Sequence, residues 1–595
     1  VYRLDKKGNL VFGTVVRDYE MMNMDDSDEE ESSYLKKGEV LVSWYPKYTE
    51  KVHPNISLEL GNRSLMPGDV VRKISSSSGG ARSQTGYCRE IKVKATVAVK
   101  CSNNRVIYNV DSSDLKPIHR FPSNSAVCLE PWVGVIRKIR LRLTLAFHDG
   151  ISQCIVEDGA IASFEDVNDK EQKIPPFLKR LDYYPGMTLL GPLMVFEGAE
   201  WIACSDKLRE LRDRKSKKPV KVTVLKAEVK EVSVNWQCQA FIDKVGSDPE
   251  SGAPDLIVGE DLMKAKILGH FQSCTVQIGD RSYYTIKEDD VIISKNEWLE
   301  REKKLFVEGR RRNDDSRCSD ESEAPTTHIN PKRKVSLCVN KLKGRPLKKR
   351  SKNIASELSR NLPSPYNHVI PSLYPGETVV VEVLRTKAEV DVIWQDGSLE
   401  KGIDSSELFP MHHLDDNEFF TGEFVVKASD LGGLQTYGVI QSLDYQTRIT
   451  KVKWFRTYTI GSEPKLASVF KAFPKGPISD GETEESVYDL RDHPDFNYRP
   501  GSVVIKVANF DNEEFEVGLG GEVVEVYPNG KVAVSWANKK MTECWPQDYT
   551  RSESMTPTME SSGMMTRTMT RRKKKIMNSG NGRLLILINF SNRRK

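Results

Sequence analysis

The sequence lacks the short motifs that bind nucleotides and metals. It contains no G-x-x-x-x-G-K-[ST] loop and no G-x-G-x-x-G after a strand, which excludes the usual phosphate-binding glycine loops. Its ten cysteines are scattered from Cys88 to Cys544 and never form a C-x-x-C pair. The adjacent His412 and His413 would point to opposite faces of a strand, so they could not share one ion. We therefore predict no cofactor and no metal, with thiols that stay reduced.

Long apolar runs are also missing. No run approaches the roughly 20 residues that cross a bilayer, and the first residues show no signal-peptide pattern. Because the chain begins at Val1 rather than Met, its true start is expected to lie upstream. Hydrophobic residues make up 38% of the 595 residues and charged residues 29%, which predicts several soluble domains joined by polar segments and no membrane partner.

The net charge of +5 is unevenly distributed along the chain. Residues 551–595 hold 11 Lys and Arg against 2 Asp and Glu, so residues 1–550 hold 78 against 82 and carry a net charge of −4. Near the N-terminus, one loop concentrates the acidic residues Asp25, Asp26, Asp28, Glu29, Glu30 and Glu31. Dense like charges stay solvated. One interpretation is a flexible insertion between strands, and the other is a binding loop for basic partners that phosphorylation of neighbouring serines tunes.

Residues 521–536 show the pattern on which the fold prediction rests. Valine alternates with polar residues on two arms, and Asn529-Gly530 between them suits a tight hairpin turn. The second arm recurs with a terminal tryptophan at five places: Trp44, Trp236, Trp394, Trp454 and Trp536. We interpret these tryptophans as barrel-core residues. The alternative, strongest for Trp44 with Tyr45 and Tyr48 beside it, is an aromatic cage for methylated lysine.

A second recurrent signal is Pro-Gly or Thr-Gly followed by an apolar strand. The pairs are Pro67-Gly68, Pro185-Gly186, Pro375-Gly376, Thr421-Gly422 and Pro500-Gly501. Together the two signals indicate units of about 55–65 residues, each a small closed barrel without free strand edges. The predicted fold class is mainly β, with tandem SH3-like (Tudor/KOW-like) small barrels in two blocks joined by a disordered basic linker.

The predicted domain boundaries follow these repeats. A helix is predicted where Trp298, Leu299, Leu305 and Phe306 recur at helical spacing. The predicted units are SH3-like barrels at 1–66 and 67–120, further SH3-like β domains at 121–297, the helix at 298–312, the linker at 313–365, SH3-like barrels at 366–415, 416–495 and 496–550, and a disordered tail at 551–595.

The predicted linker contains a strongly basic stretch. Residues 331–352 hold ten Lys and Arg and no acid. The residues of a nuclear-import signal would be Lys332, Arg333, Lys334, Lys348, Lys349 and Arg350, which predicts a cytoplasmic and nuclear protein. Two alternatives are nonspecific binding of nucleic acid and a minor-groove hook, since Gly344-Arg345-Pro346 resembles an AT-hook core. A gel shift with residues 300–360 tests both alternatives.

The tripeptide His53-Pro54-Asn55 resembles the H-P-N motif that precedes the catalytic cysteine of ubiquitin-conjugating domains. The next cysteine is Cys88, and a new predicted strand intervenes. We therefore interpret the tripeptide as a loop that leaves the first tryptophan strand, and we predict no catalytic residue.

Several stretches resemble the conserved N-terminal regions of the very large hybrid ubiquitin-conjugating enzymes and ligases of class O. These stretches are residues 108–115, 183–186, 412–426 and 486–496. The resemblance covers about residues 1–550 in the family's order. It implies tandem SH3-like domains that recruit basic and orphan protein clients to the ubiquitination machinery. In that family a coiled coil and a conjugating domain with the active cysteine follow, and this sequence stops before either.

The tail has an unusual composition. Residues 564–575 read Met-Met-Thr-Arg-Thr-Met-Thr-Arg-Arg-Lys-Lys-Lys, and a one-base shift of plausible codons would encode a run of Asp and Glu instead. The resemblance implies an acidic tract at about this place. We hypothesise a frameshifted tail from near Arg551, the alternative being a disordered basic segment. The genomic DNA tests this hypothesis, because an early stop in the shifted frame would contradict it.

Overall fold

The computed structural model describes most of the chain, and every structural statement below refers to the residues that it describes. These are residues 1–19, 35–73, 84–100, 104–167, 183–214, 218–239, 253–317, 373–411, 414–415, 417–429, 436–456, 476–506 and 519–551. They form mainly antiparallel strands, which confirms the predicted fold class. None of the helices in these ranges combines the length and the hydropathy that a membrane crossing requires.

The strands are numbered along the chain. The first eight are β1 (Tyr2–Leu4), β2 (Leu10–Asp18), β3 (Glu39–Trp44), β4 (Thr49–Pro54), β5 (Val70–Lys73), β6 (Thr85–Val99), β7 (Arg105–Asp111) and β8 (Lys116–Pro117). The next nine are β9 (Ala126–Leu129), β10 (Trp132–Phe147), β11 (Gln153–Glu157), β12 (Glu165–Asp166), β13 (Thr188–Pro192), β14 (Glu200–Ala203), β15 (Pro219–Gln239), β16 (Leu256–Val258) and β17 (Lys266–Leu268).

The remaining strands frame the linker and complete the C-terminal part. Five follow β17: β18 (Arg281–Thr285), β19 (Val291–Ser294), β20 (Thr378–Trp394), β21 (Leu399–Asp404) and β22 (Leu408–Pro410). The last ten are β23 (Phe424–Lys427), β24 (Thr436–Asp444), β25 (Ile449–Arg456), β26 (Ile478–Ser486), β27 (Leu490–Asp492), β28 (Val503–Lys506), β29 (Gly520–Val526), β30 (Val532–Trp536), β31 (Met541–Cys544) and β32 (Tyr549–Arg551).

Three α-helices accompany the strands: α1 (Asp206–Asp213), α2 (Asp261–Lys264) and α3 (Lys295–Arg317). Helix α1 begins after Ser205, whose side chain accepts a hydrogen bond from Leu208 N–H and so caps the first turn. Helix α3 contains the stretch predicted as helical at 298–312. It buries Trp298 and Phe306 against barrel 1, which is defined below, because both side chains pack in one cluster with Phe12.

Barrels 6 and 7 show the repeated unit most simply. Barrel 6 has the strand order β26-β25-β24-β23-β27, and barrel 7 has the order β31-β30-β29-β28-β32. In each, a 3₁₀ turn precedes the last strand. The predicted Thr-Gly and Pro-Gly signals are the turns before β23 and β28, where Gly422 and Gly501 adopt positive φ angles of 93° and 85° that favour glycine.

Barrel 1 is the N-terminal copy of this unit. It consists of the four-stranded sheet β1–β4, and a bridge between Tyr2 and Glu59 follows the 3₁₀ turn after β4. Val40, Val42 and Trp44 alternate into its core, as the period-two pattern predicts.

The rest of the fold consists of two nine-stranded sheets. The continuous tandem sheet contains β9–β17, and the split tandem sheet contains β5–β8 and β18–β22. Each sheet has one central pair of long strands, β10 with β15 and β6 with β20, and the register shifts at bulges along both pairs. Because bulges bend and twist strands, each long pair passes from one barrel into the next.

The four barrels of these sheets are defined by the halves of the long strands. Barrels 2 and 3 lie in the split tandem sheet and barrels 4 and 5 in the continuous one, with a separate hydrophobic core in each barrel. Barrel 2 consists of β5, β21, β22 and the adjoining halves of β6 and β20, and barrel 3 consists of β7, β8, β18, β19 and the other halves of β6 and β20. Barrel 4 consists of β9, β16, β17 and the adjoining halves of β10 and β15, and barrel 5 consists of β11–β14 and the other halves of β10 and β15. The segments 67–120 and 366–415, which were predicted as separate barrels in series, therefore pair with each other within one sheet.

Candidate functional site

The five repeat tryptophans occupy one equivalent position in five barrels. Trp44, Trp394 and Trp454 are each 7% exposed and Trp536 is 1% exposed, whereas Trp236 is half-buried. Each tryptophan lies at or within three residues of the end of its strand and packs against that barrel's apolar cluster. Their side chains thus serve packing within each barrel.

A glycine lies directly opposite every repeat tryptophan on the neighbouring strand. The cross-strand pairs are Gly13 with Trp44, Gly86 with Trp394, Gly134 with Trp236, Gly438 with Trp454, and Gly521 with Trp536. A Cβ atom at any of these glycines would come within 2.4–2.8 Å of the valine two residues before the tryptophan. Only glycine leaves room for this approach. In barrels 1, 6 and 7 the glycine lies on the strand that directly precedes the tryptophan strand in the chain, a recurrence that the sequence predictions did not use, whereas Gly86 and Gly134 lie far from their tryptophans in the sequence.

Four of the five tryptophans donate their indole N–H to the strand that closes their barrel. The indole N–H donates to Thr483 Oγ1 from Trp454 and to Thr542 Oγ1 from Trp536, both at 2.7 Å. In barrel 1 the acceptor is His53 Nε2 at 3.2 Å. A buried indole N–H needs such a partner. Trp394 donates to Glu400 Oε2 at 3.2 Å and Trp236 to the Pro254 carbonyl at 2.7 Å, so the indole N–H of each of the five tryptophans has an acceptor.

The aromatic residues after Trp44 lie between two barrels. The Tyr45 hydroxyl donates to the Glu382 carboxylate of barrel 3, and Tyr48 packs beside Gly279. Glu382 is 3% exposed and pairs with Lys100 at 2.9 Å and Arg281 at 3.1 Å. Tyr45 and Tyr48 therefore hold barrel 1 against barrel 3.

The H-P-N tripeptide has a structural role. His53 accepts the Trp44 indole N–H, and burial lowers the pKa of its imidazole. Asn55 begins the 3₁₀ turn after β4. Cys88 is fully buried in barrel 2, where burial raises the pKa of its thiol well above the ordinary value. A buried, protonated thiol is a poor nucleophile.

Several predicted residues lie outside the described residues. They are the acidic-loop residues Asp25, Asp26, Asp28, Glu29, Glu30 and Glu31, the basic-linker residues Lys332, Arg333, Lys334, Lys348, Lys349 and Arg350, and the histidines His412 and His413. Their proposed roles stay predictions. Among the described ranges, no group of three His, Cys, Asp or Glu side chains could hold a metal ion, and no disulfide joins the described cysteines.

Barrels 6 and 7 meet through a continuous aromatic cluster. Tyr437 of barrel 6 stacks on Phe455 with ring centroids 5.4 Å apart, and Phe455 contacts Trp545 of barrel 7 at 5.9 Å. The hairpin tip at Gly530 lies against the Phe455 ring. The Asn529-Gly530 turn, which supported the prediction of a hairpin at residues 521–536, therefore also forms a contact between barrels 6 and 7.

The outer face of barrel 7 is formed by its edge strand β31. Among the described residues of barrel 7, Met541 is the only exposed large hydrophobic side chain, at 54%. Thr542 and Cys544 face the barrel, so Met541 and Glu543 alternate outward. Lys531 lies 3.4 Å from Glu543 and also 5.7 Å above the Trp545 ring. The face thus combines one apolar side chain with a charged rim.

Two carboxyl groups lie where barrel 7 packs on its neighbours. Glu522 accepts a hydrogen bond from His270 N–H of the continuous tandem sheet at 2.7 Å. Glu423, in the turn before β23, lies 3.9 Å from Arg499. Burial raises the pKa of both carboxyl groups to about 7. The two carboxyl groups therefore lie at the buried contacts of barrel 7 with its neighbours, whereas the outer face at β31 is exposed.

A cavity of about 490 Å³ lies between barrels 3 and 4. Its lining is largely polar and includes Ser112, His119, His270, Ser273 and Arg281. Because Arg281 already pairs with Glu382, the cavity lacks an uncommitted guanidinium for an anion. We interpret this cavity as a packing gap where the two tandem sheets meet.

Three family models match parts of the chain. The model described as UBE2O, tandem tSH3-B domain, matches residues 123–273. The model described as UBE2O, SH3-B domain, matches 416–495, and the model described as UBE2O, ubiquitin binding SH3-C domain, matches 496–558. These ranges correspond to the continuous tandem sheet, barrel 6 and barrel 7.

Two curated relatives from Arabidopsis thaliana are similar over most of the chain. The probable ubiquitin-conjugating enzyme E2 24 is 24% identical over 571 residues, which cover 90% of this chain and 52% of the relative. The probable ubiquitin-conjugating enzyme E2 23 is 22% identical over 515 residues, which cover 82% and 43%. The chain thus spans about half the length of these relatives.

A solved structure, the crystal structure of Arabidopsis thaliana AGDP1 AGD34, aligns with 22% of this chain and 80% of that chain. Its 13% identity and TM-score of 0.08 carry no structural argument. The three domain models and the two relatives do carry one, and they confirm the resemblance found in the sequence: the chain resembles the SH3-domain regions of UBE2O-type ubiquitin-conjugating enzymes.

Proposed function

We propose that this chain is the recognition part of a UBE2O-type ubiquitin-conjugating enzyme, in which barrel 7 binds ubiquitin and the barrel array recruits basic protein clients. The observation that carries the proposal is the match of barrel 7 to a ubiquitin-binding SH3-C model. The chain's own contribution to such binding would be the outer face of β31.

The composition of that face supports a small protein interface. Methionine is enriched at interface cores, and a polar rim usually surrounds them. Met541 supplies the apolar centre, and Lys531 with Glu543 supplies the rim. The inner faces of barrel 7 are already covered, since its core residues continue into barrel 6 and its β28 packs on barrel 4. Ubiquitin would therefore approach β31.

A titration of isotope-labelled ubiquitin with the whole chain tests this proposal. We expect Met541→Asp to weaken binding by at least about tenfold, because a central apolar contact is replaced by a charge. Met194→Asp is the matched control, since Met194 is 47% exposed on barrel 5. Equal affinity of Met541→Asp and the wild type, or an equal loss in both variants, would contradict binding at β31.

Client recruitment rests on charge. The first 550 residues carry a net charge of −4, which favours basic clients through contacts that salt screens. A pull-down of basic proteins is expected to weaken as ionic strength rises. Retention of the same clients at high salt would count against recruitment by charge.

The competing interpretation is a chromatin- or transcription-associated binding protein of the Tudor/KOW type, which would contact nucleic acid through residues 331–352 or a modified histone through a methyl-lysine cage. Its best candidate residues, Tyr45 and Tyr48, are engaged between barrels 1 and 3. The described aromatic side chains beside Trp44 therefore favour the ubiquitination proposal. A methyl-lysine peptide array that gave a hit lost on Trp44→Ala would reverse this preference.

A further inference from the structure

Strand β26 forms an exposed edge of barrel 6. Among the described strands it pairs with β25 alone, and its first seven residues are all exposed. It has nine residues, whereas the equivalent closing strands β4 and β21 have six and β31 has four. An edge strand offers backbone N–H and C=O groups to a further strand. Among these four closing strands of the described barrels, β26 is the longest.

The register of β26 suits the addition of a strand. From Gly481 to Ser486 it pairs with β25 over six consecutive residues without a shift. In such an antiparallel ladder, alternate residues point their N–H and C=O groups away from the existing partner. The shift falls beyond this stretch, between Trp454 and Phe455. A regular edge of six residues is therefore available.

The charge of this edge is of one sign. Residues 478–486 contain Asp480, Glu482, Glu484 and Glu485 and no Lys or Arg. Asp480 pairs with Arg456 at 2.7 Å, and Glu485 lies 3.1 Å from Lys427. These two ion pairs hold the ends of the acidic stretch.

The two central carboxylates remain uncommitted. Glu482 and Glu484 are exposed and make no ion pair with any described residue, although they lie opposite Lys453 and Lys451 in the register. Both share one face of the strand, since they are two residues apart. They are positioned to contact cations on an added strand.

We propose that β26 is a docking edge for an extended, lysine- or arginine-rich polypeptide segment, which adds to barrel 6 as a further strand. Main-chain hydrogen bonds would give affinity, and alternate side chains would give specificity. This inference rests on the proposed recruitment of basic clients and assigns it a place in the fold. It is independent of ubiquitin binding at β31.

Protection of the edge alone does not explain these features. Proteins protect an edge by shortening it or by placing bulges, Pro or charged side chains on it. The acids of β26 would repel another acidic edge, but the strand is long and its six-residue regular stretch stays open to a basic segment. Exposed apolar side chains lie near both ends, with Ile478 69% exposed and Tyr488 63% exposed. A basic segment with apolar neighbours would match both the centre and the ends.

Amide hydrogen exchange of the whole chain with synthetic peptides tests the proposal. The probe is a (Lys-Thr)₅ peptide, and the matched control is (Lys-Pro)₅, which has the same charge but lacks alternate N–H donors. We expect (Lys-Thr)₅ to protect alternate amides of β26 and to bind about tenfold more tightly than the control. Equal binding of both peptides would show a purely electrostatic contact and overturn strand addition.

A charge reversal locates the site. Glu482→Lys combined with Glu484→Lys should weaken (Lys-Thr)₅ binding by at least about tenfold. The control combines Glu50→Lys with Glu389→Lys, which changes the net charge equally at two exposed acids elsewhere. Unchanged binding in the first variant would overturn the proposal while leaving client recruitment and ubiquitin binding standing.

The same exchange experiment identifies other occupants. Protection of β26 in the protein alone that vanishes when residues 331–352 are deleted would assign the edge to the chain's own basic segment. Protection that rises with protein concentration would assign it to a second copy. Either result would overturn the assignment to a client.

Discussion

The two nine-stranded sheets share one strand map but follow different chain paths. Their longest runs of neighbours are β12-β13-β15-β10-β11-β14 and β8-β18-β20-β6-β7-β19. The strands also correspond in chain order, from β5 with β9 to β22 with β17. The split tandem sheet is therefore the same tandem barrel with the whole continuous tandem sheet inserted between β8 and β18.

The point of insertion has a physical explanation. Strands β8 and β18 are hydrogen-bonded neighbours, and Pro117 lies opposite Ser282. The chain thus leaves and re-enters the split tandem sheet at adjacent positions. Domains tolerate insertion where the two ends are close together, so the inserted sheet need not strain its host.

The connection that precedes the second long strand, β15 or β20, also differs in length between the two sheets. In the continuous sheet, β14 is joined to β15 through α1 and residues 214–218, whereas β19 is joined to β20 through α3 and residues 318–372. The basic segment therefore occupies the place of a short connection within one tandem sheet. The two predicted blocks on either side of it form one folded unit.

The largest expected effect comes from the glycines opposite Trp394 and Trp236. A Cβ atom at Gly86 or Gly134 would lie 2.7 Å from a backbone carbonyl oxygen on the opposite strand. We expect Gly86→Ala and Gly134→Ala each to cost about 3–5 kcal/mol in local unfolding free energy. Hydrogen exchange should show Gly86→Ala opening residues 70–73 together with 388–410, and Gly134→Ala opening only the continuous sheet.

Gly159→Ala is the control for both substitutions. It has no heavy atom within 4 Å of the added Cβ, so exchange should stay unchanged. If Gly86→Ala left residues 388–410 protected, the pairing of β6 with β20 would be contradicted.

The sequence predicted the barrel unit but not the order in which strands pair. Valine alternation, Asn529-Gly530 and the terminal tryptophans are local signals, and all of them lie within one hairpin. The pairing of Gly86 with Trp394 joins residues about 300 positions apart, and no local period carries that information. The residue pattern of each strand is the same whether the strands of a barrel are contiguous in the chain or are separated by an inserted domain.

The candidate site was less predictable than the fold. Met541 is an isolated residue after a Lys-Lys pair, and its importance depends on exposure, which only packing determines. The acidity of β26 was readable in the sequence. Its position at an edge depends on the absence of a further described strand beside it, which no charge pattern predicts.

A smaller effect is expected from the buried ion cluster that only the split tandem sheet contains. Among the described residues of the continuous sheet no carboxylate is buried, whereas Glu382 lies between Lys100 and Arg281. Glu382→Gln would remove the buried negative charge that faces the largely buried Lys100 and Arg281, and it should cost about 3 kcal/mol. Unfolding followed by denaturant at pH 7 measures this loss.

The pH dependence of the unfolding free energy separates the contribution of the Glu382 charge from that of side-chain packing in this cluster. Burial alone would raise the pKa of Glu382, but Lys100, Arg281 and the Tyr45 hydroxyl lower it to about 2. A depressed carboxyl pKa stabilises the fold fully above about pH 4.5, and this stability is lost as the pH falls towards 2. The wild type should lose up to about 3 kcal/mol over that range, and Glu382→Gln should lack this component.

An exposed pair serves as the control for Glu382. Glu200 pairs with Arg142 at 2.8 Å, and both side chains are more than 40% exposed. Glu200→Gln should change the unfolding free energy by less than about 0.5 kcal/mol. A similar cost for both substitutions would contradict the role assigned to the buried cluster.

The smallest expected effect is that of breaking the chain within residues 318–372. Because β6 pairs with β20 along both barrels of the split tandem sheet, co-expressed residues 1–340 and 341–595 should purify together as a 1:1 complex. The substitutions Val390→Asp and Val392→Asp place charges in the barrel 2 core, where both valines are fully buried, and should abolish this association. Separate elution of the unmodified fragments would show that the two blocks fold in series, and the correspondence between the two sheets would then fail.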